Sequence, residues 1–548
     1  MELKSRIISS LEKVFVNKNV EDYPRLEKFS ALRGERIAIQ LIYKPISNKG
    51  REWLTPTLSG KLSEYAVVRR VEQVPIIQPA CEVFDDNYIS TEAGVFPDIL
   101  APLYYDGDKA HSDSTVLDAL WIDVEIPEDF PSGESTFTVS LVGESNNVCT
   151  EDTVAIEVIG ATLPKQELYY TRWFHCDCLA HYYSVPVWSK RHWEIIENFA
   201  RLAVKTGVNT ILTPLVTPSL DGIRMTTQLV KIRKNGEKYS FNFSRIDKWI
   251  DMCDRIGIKY FEISHLCTQH GANGAPRIVA TIDGEERLIF SYETDSRSPE
   301  YKNFLRSLIK AFIKHMKRRG DDKRCIFHIS DEPDIEHIDY YREVKTAIAD
   351  LIADYKHIDA LGDIEFYKNG LVGCPVPITS SAMNFIEAGV SPLWVYYCGG
   401  PVSENYSNGF VAMPSWRTRS IGMQLYKFNV EGFLHWGYNY YYNIGSHSLV
   451  NPYLDLNAER WVPAGDTFIV YPANDGTPLE SLRAEVLYHA FEDIRAMKLC
   501  EKYYSHSEVV AAIEDVLGYK LDFSGCVRSA EKMIAVRERI HEMIKAKL

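Results

Sequence analysis

From Glu167 onward the chain alternates between short apolar runs of strand type and amphipathic segments whose apolar residues recur at three and four. The strand candidates are "LYYTRWFHCD", "NTILTPLV", "IKYFEISHL", "CIFHIS", "IDALGD", "PLWVYYC", "EGFLHWGY" and "DTFIVYP". Helical segments such as "WEIIENFARLAVKTG", "FSRIDKWIDMCDRIG", "YKNFLRSLIKAFIKHMKRRG" and "YYREVKTAIADLIADY" separate several of them. Eight strands alternating with helices over about 300 residues is the count that a (β/α)8 TIM-type barrel requires. The pattern predicts such a barrel over 166–500. A doubly wound open sheet is the alternative, but no Gly-rich phosphate fingerprint follows the first strand.

A chain of 548 residues is too long for one core, so further domains are expected. Residues 25–165 carry "RIAIQLIYK", "AVVRRVEQV", "TVLDALWIDVEIP" and "STFTVSLVG", short runs rich in Val, Ile and Thr. With turn signals between them and no long helical pattern, they predict an antiparallel β-sandwich. "MELKSRIISSLEKVF" has its charges at helical spacing, which predicts an N-terminal helical segment over 1–24. Residues 501–548 are expected to form a helical C-terminal extension.

The formal charge of −14 argues against nucleic acid or an anionic membrane as a partner. No window approaches the roughly 18 apolar residues of a membrane span, and the first residues carry no signal-type apolar stretch. Eleven scattered cysteines suit a reducing compartment better than a disulfide framework. A cytoplasmic protein without a cofactor is the expectation. "HCDCLAH" concentrates possible metal ligands, but no second Cys or His pair follows at zinc spacing, so no metal is expected.

The chemistry is expected at "CIFHISDEPDIEH", where an apolar run ends in Asp331, Glu332 and Pro333. Strands disfavour Asp and Pro, and a barrel keeps its active site at the C-terminal ends of its strands. Neighbouring strand residues point to opposite faces, so both acids reach one site only if the chain bends there. Pro333 biases Glu332 toward an extended conformation. The plainer reading is that Asp331 or Asp334 only caps the following helix.

Two carboxylates suggest glycoside hydrolysis, for which a conventional retaining enzyme needs a second carboxylate on another strand. The late strands offer aromatics and amides at their outer ends and no acid, while Glu431 stands at the start of its strand. A substrate-assisted route fills the gap: the substrate's own 2-acetamido oxygen attacks the anomeric carbon while two adjacent acids orient and protonate. Asp363 or Glu365, near "LGDIEF", would supply a conventional nucleophile instead. A carbohydrate-binding or scaffolding protein on the same frame is the reading from another class.

Other candidates sit at expected strand ends. Trp436 offers a face on which a sugar ring can stack, and Tyr438 and Asn439 follow it with a hydroxyl and an amide. Tyr396 and Tyr397 end another strand, where alternation lets one of them face the mouth. Arg172 and His175 end the first strand and His265 ends the third, each able to contact a hydroxyl or to serve packing. Trp416, in "MPSWRTR", starts a helix and either reaches the cleft or packs the helix.

These pieces together resemble glycoside hydrolase family 123. The matching stretches are "FPDIL", "LWIDVEIPEDFPSG", "HISDEP", "EGFLHWGYNYY", "GDTFIVYP" and "SLRAEVLYHAFED", in that order. The tail departs from the family pattern at Phe491 and Ile494, where Gly and Tyr are common. The resemblance implies a β-sandwich followed by a (β/α)8 barrel and β-N-acetylgalactosaminidase activity on a carbohydrate bearing a 2-acetamido sugar. It implies Asp331 as the residue that polarises the acetamido group and Glu332 as general acid/base. It also implies that one tyrosine, Tyr396 or Tyr397, binds that group. Two acids this close cannot both ionise cheaply, so Glu332 is expected to hold its proton and Asp331 to remain the anion.

Overall fold

The computed structural model describes residues 2–46, 51–113, 116–220, 222 and 224–548. Two sheets of mainly antiparallel strands form the N-terminal part. One has the spatial order Leu3–Ser9, Arg36–Pro45, Asp118–Glu125, Ala66–Ile76 and Gly94–Pro102; the other runs Lys28–Arg33, Val148–Thr162, Gly133–Gly143, Arg51–Ser59 and Ala110–Asp113. Apolar residues from both faces, among them Leu41, Leu54, Leu120, Ile122, Phe137, Val139 and Ile156, make the core between them. Lys28–Arg33 pairs in parallel with Val148–Thr162, a departure from the all-antiparallel expectation.

The N-terminal segment is corrected. Leu3–Ser9 is a strand, paired antiparallel with Arg36–Pro45. The charge spacing that suggested a helix over 1–24 lost to pairing at a sheet edge, where Leu3, Ile7 and Ile8 are buried.

Eight parallel strands follow: β1 (Tyr169–Arg172), β2 (Thr210–Thr213), β3 (Tyr260–Ile263), β4 (Cys325–Phe327), β5 (Lys356–Ala360), β6 (Cys374–Val376), β7 (Trp394–Tyr396) and β8 (Gly432–His435). Their order is β6-β5-β4-β3-β2-β1-β8-β7. The sheet is nearly closed. Just past β6, Tyr396 N donates to Pro377 O at 3.1 Å and Thr379 N to Tyr396 O at 2.9 Å, which joins its two edge strands. A helix follows every strand, although Glu365–Lys368 after β5 is only one turn.

Helix Pro299–Arg319 shows how the sequence builds this layer. Ser298 caps it by accepting from Tyr301 N, Pro299 occupies the first turn, and Gly320 ends it at φ 80°. Phe304, Leu305, Leu308, Ile309, Phe312, Ile313 and Met316, spaced by one, three or four, form its buried face. Replacing the Ser298 cap with Ala costs about 1 kcal/mol.

Two further corrections concern strands. "DTFIVYP" is not in the parallel sheet: Tyr471–Pro472 pairs with Pro478–Ser481, which adds to Gly94–Pro102 of the N-terminal sheet. The eighth place is filled by the short β6, disguised by Pro375 within it and Pro377 after it. Two hairpins also interrupt the pattern, Lys231–Asn235 with Lys238–Asn242 after β2 and Ile278–Ile282 with Glu285–Phe290 after β3. Their two-residue turns are Gly236-Glu237 and Asp283-Gly284, the latter with φ 53° and 88°, a strong hairpin signal.

The three parts are joined by buried charge. Arg483, on helix Leu482–Cys500, pairs with Asp98 of the N-terminal sheet at 2.9 Å, and Tyr471 donates to the same carboxylate at 2.5 Å. Beyond Cys500 lie helices His506–Leu517 and Ala530–Lys545. Glu538 on the last accepts from the hydroxyl of Ser30 at 2.6 Å, which docks the C-terminal extension on the sandwich. Among the described residues no helix is long and apolar enough to cross a membrane.

Candidate active site

The loops beyond the C-terminal ends of the strands surround a cavity of about 230 Å³. β4 stops at Phe327, so Asp331 and Glu332 stand on a loop and not on the strand itself. That loop is docked to the one after β3: Cys267 N donates to Ile329 O at 2.8 Å, His270 N to Asp331 O at 2.8 Å, and Asp334 N to His270 O at 2.7 Å. Both acids line the cavity.

The bend that brings them together is at Glu332, whose φ is 41°. This corrects the extended conformation expected ahead of Pro333. A left-handed non-glycine residue before a proline is strained, and the flanking loop bonds hold it there. Helix capping does not account for the pair, since the helical turn begins after Asp334.

The two carboxylates have different surroundings. Asp331 is 6% exposed and accepts from Gln269 Nε2 at 3.0 Å. Glu332 has a side chain 37% exposed, accepts from the Tyr396 hydroxyl through Oε1, and has His270 Nδ1 at 4.0 Å from Oε2. Burial and the neighbouring Glu332 charge push the Tyr396 phenol well above its ordinary pKa, so it stays a proton donor.

Aromatic side chains complete the wall: Trp173 after β1, Trp436 after β8 and Trp461, with Trp436 and Trp461 meeting edge to face at 5.7 Å. Trp173 Nε1 donates to Glu262 at 2.7 Å. A third carboxylate, Asp466, also lines the cavity and accepts from Trp436 Nε1 at 2.9 Å.

Of the sequence candidates, Asp331, Glu332, Tyr396 and Trp436 meet in this cavity. The others do not line it, and most support it from behind. Arg172 Nε donates to Gly437 O at 2.7 Å, and His175 bonds Trp436 O at 2.8 Å, so both hold the backbone that carries Trp436. Burial and the Arg224 charge keep His175 far below its ordinary pKa and therefore neutral. Asn439 brackets His175, accepting from its N–H at 2.9 Å and donating to its carbonyl at 3.1 Å.

Tyr438 is buried against Phe174 and donates to Phe199 O at 2.8 Å. Tyr397 turns the other way from Tyr396, into the outer core beside Phe433 and His435. Trp416 packs partly buried on the same core. Asp363 accepts from Glu365 N at 2.8 Å and Glu365 pairs with Lys368, both away from the cavity.

His265 is fully buried, edge to face with Trp173 and 4.3 Å from the ring of His328. His265, His328 and Asp359 could together present three ligand atoms to a metal. His328, however, bridges Glu262 at 2.7 Å and Asp359 at 2.9 Å, which raises it to about 9 and keeps a proton on each nitrogen. An imidazolium has no lone pair for a metal. "HCDCLAH" forms a helix over Cys176–Tyr182, and Cys178 Sγ accepts from Tyr441 N at 3.1 Å.

Sequence reasoning missed Trp173, Gln269, His270, Trp461 and Asp466. Trp173 and Gln269 lie one residue past the end of β1 and six past the end of β3, where a search for polar and aromatic residues would have found them. Trp461 comes from a long excursion after β8 that carries no periodic signal, whereas Asp466 opens "DTFIVYP", the run expected as a barrel strand, which the structure places outside the parallel sheet.

The sequence model of the glycoside hydrolase 123 catalytic domain matches residues 173–500, more than half of the chain. The chain belongs to glycoside hydrolase family 123. It is a glycoside hydrolase. The structure is similar to that of a family 123 glycoside hydrolase from Clostridium perfringens, described for glycolipid glycan hydrolysis, at a TM-score of 0.73 and 17% identity, covering 100% of this chain and 98% of that one. A Parabacteroides merdae β-glucuronidase aligns over 90% of this chain and 51% of its own, at 11% identity and a TM-score of 0.31. No protein of curated function matches the sequence.

Proposed function

We propose that this family 123 member is an exo-acting β-N-acetylhexosaminidase of the galactosamine type, retaining configuration by substrate assistance on a (β/α)8 barrel. The observation that carries the reading is the adjacent pair Asp331 and Glu332 facing one cavity, each held by its own donor, Gln269 and Tyr396. The acetamido oxygen attacks the anomeric carbon as the glycosidic C–O bond breaks, and Glu332 gives its proton to the departing oxygen. Asp331 accepts a hydrogen bond from the acetamido N–H and stabilises the positive charge of the oxazolinium-like intermediate. Glu332 then takes a proton from the water that opens this ring at the anomeric carbon, restoring the enzyme. The eleven cysteines, all unpaired, support action in a reducing, cytoplasmic compartment.

A conventional retaining mechanism is the second reading, favoured by one observation: Asp466 is a further carboxylate in the cavity. Hydrolysis of 4-nitrophenyl β-N-acetylgalactosaminide, its glucosamine analogue and the plain galactoside separates the two. Turnover confined to acetamido sugars, with inhibition by a thiazoline that mimics the cyclic intermediate, supports substrate assistance. Turnover of the plain galactoside without thiazoline inhibition overturns it.

A further inference from the structure

Asp466 is 2% exposed, yet it borders the cavity. Its Oδ2 accepts from Trp436 Nε1, whereas Oδ1 has no hydrogen-bond partner among the described residues. His435 Nε2 stands 3.3 Å from Oδ1 without forming an aligned hydrogen bond to it. Leaving a buried carboxylate oxygen unbonded is costly, and a fold keeps such a group when a ligand supplies the missing donor.

The position is also held rigidly. Arg483 Nη1 donates to Gly465 O at 2.6 Å and to Phe468 O at 3.1 Å, one residue before Asp466 and two after it. A Cβ at Gly437 would stand 2.4 Å from Asp466 O, so the loop carrying Trp436 can approach this closely only with glycine there. Burial pushes the Asp466 carboxyl up to about 7, against the opposing pull of the Trp436 bond and of the Arg172 and Arg483 charges.

We propose that Asp466 is a specificity-determining residue, its Oδ1 accepting a hydrogen bond from one ring hydroxyl of the sugar bound between Trp436 and the catalytic pair. The proposal rests on the cavity being the sugar site, and it deepens that reading by selecting among sugars that share the 2-acetamido group. A sugar hydroxyl is a neutral donor of the right kind for a desolvated carboxylate, and a site built for one rejects analogues that lack it.

The test sets wild type beside Asp466→Asn against the parent 4-nitrophenyl glycoside and its 3-, 4- and 6-deoxy analogues. The expected result is a loss in kcat/KM on the order of 100-fold for Asp466→Asn on the parent. One deoxy analogue should be poor for wild type by a similar factor and no worse for the variant, while the other two show the full loss. An equal loss on the parent and all three analogues overturns the proposal. So does a complete loss that azide restores as a glycosyl azide, which would make Asp466 a nucleophile. If Asp466→Asn does not melt cooperatively, Trp436→Phe takes its place, since it removes the donor that orients the carboxylate. It must show the same single-hydroxyl pattern at smaller amplitude, and a uniform loss again overturns the idea. If 2-acetamido specificity itself fails, the 2-hydroxy series replaces the parent, so the two failures are read separately.

Discussion

The hydroxyl of Tyr396, at the end of β7, donates to Oε1 of Glu332, on the loop after β4. The bond crosses the cavity mouth and ties together two residues 64 positions apart in sequence. Tyr396→Phe removes the donor and leaves the ring in place. The expected outcome is a fall in kcat/KM of roughly 10- to 100-fold with an unchanged thermal midpoint, because the lost bond positions a carboxyl group at the site and contributes little packing. Steady-state kinetics beside a melting curve checks it, and unchanged kinetics would remove Tyr396 from the site.

Asp331 and Glu332 are given different tasks, so their amide variants should fail differently. Glu332→Gln cannot protonate the leaving oxygen, and its defect should be on the order of 10²- to 10⁴-fold for a poor alkyl leaving group. It should shrink greatly for a nitrophenolate, which departs without a proton. Asp331→Asn should lose a similar factor whichever leaving group is used, since it acts on the acetamido side. Rates on alkyl and nitrophenyl acetamido glycosides check this, and identical leaving-group dependence in the two variants contradicts the division of roles.

The four sequence candidates that meet in the cavity sit at or just beyond strand ends, where local pattern fixes position: "HISDEP" after β4, Tyr396 at the end of β7 and Trp436 after β8. The face each presents depends on chain bends that residue type does not encode. The left-handed turn at Glu332 is the clear case, whereas the opposite pointing of Tyr396 and Tyr397 is the strand alternation that the sequence already implies. Arg172 and His175 share the neighbourhood of Trp436 but hold its backbone, and Asn439 holds His175 in turn, a distinction set by three-dimensional packing alone. Asp466 begins "DTFIVYP", a run legible as a strand, but its place beside the cavity follows from that run leaving the parallel sheet and from Arg483, on a helix further along the chain, anchoring the preceding Gly465. The sequence motifs "FPDIL" and "SLRAEV" meet at the Asp98–Arg483 pair, so part of the family pattern records the seam between sandwich and parallel sheet, not the site.

The Glu262–His328–Asp359 network predicts a basic limb of stability. The folded pKa of His328, about 9, lies above the ordinary 6.5 because its two carboxylate partners outweigh burial. The contribution is therefore complete below pH 6.5 and disappears as pH rises through 9, a span worth about 3 kcal/mol. Asp359 is held below its ordinary value, so its contribution fails on the acid side. Denaturant unfolding at pH 6.5 and 9 should show the loss in wild type and a flatter profile in His328→Gln, whose overall stability is lower. A wild-type profile as flat as the variant's would mean that His328 is neutral.

Asp466 should also lose stability as pH rises, but as a cost to the fold retained for the site. Its folded pKa of about 7 exceeds the ordinary 3.8, so the folded state binds the extra proton between these values. Stability contributed by the neutral acid is lost as pH rises from 3.8 to 7, and above 7 the buried anion carries a penalty of up to about 4 kcal/mol. Asp466→Asn keeps the shape and an acceptor for Trp436 Nε1 while removing the ionisation. The variant should therefore be more stable than wild type at pH 8, and by less at pH 5, even as its kcat/KM falls. Urea unfolding at the two pH values decides the matter independently of any substrate. A variant less stable than wild type at pH 8 would mean that the carboxylate is a structural partner of Arg172 and Arg483.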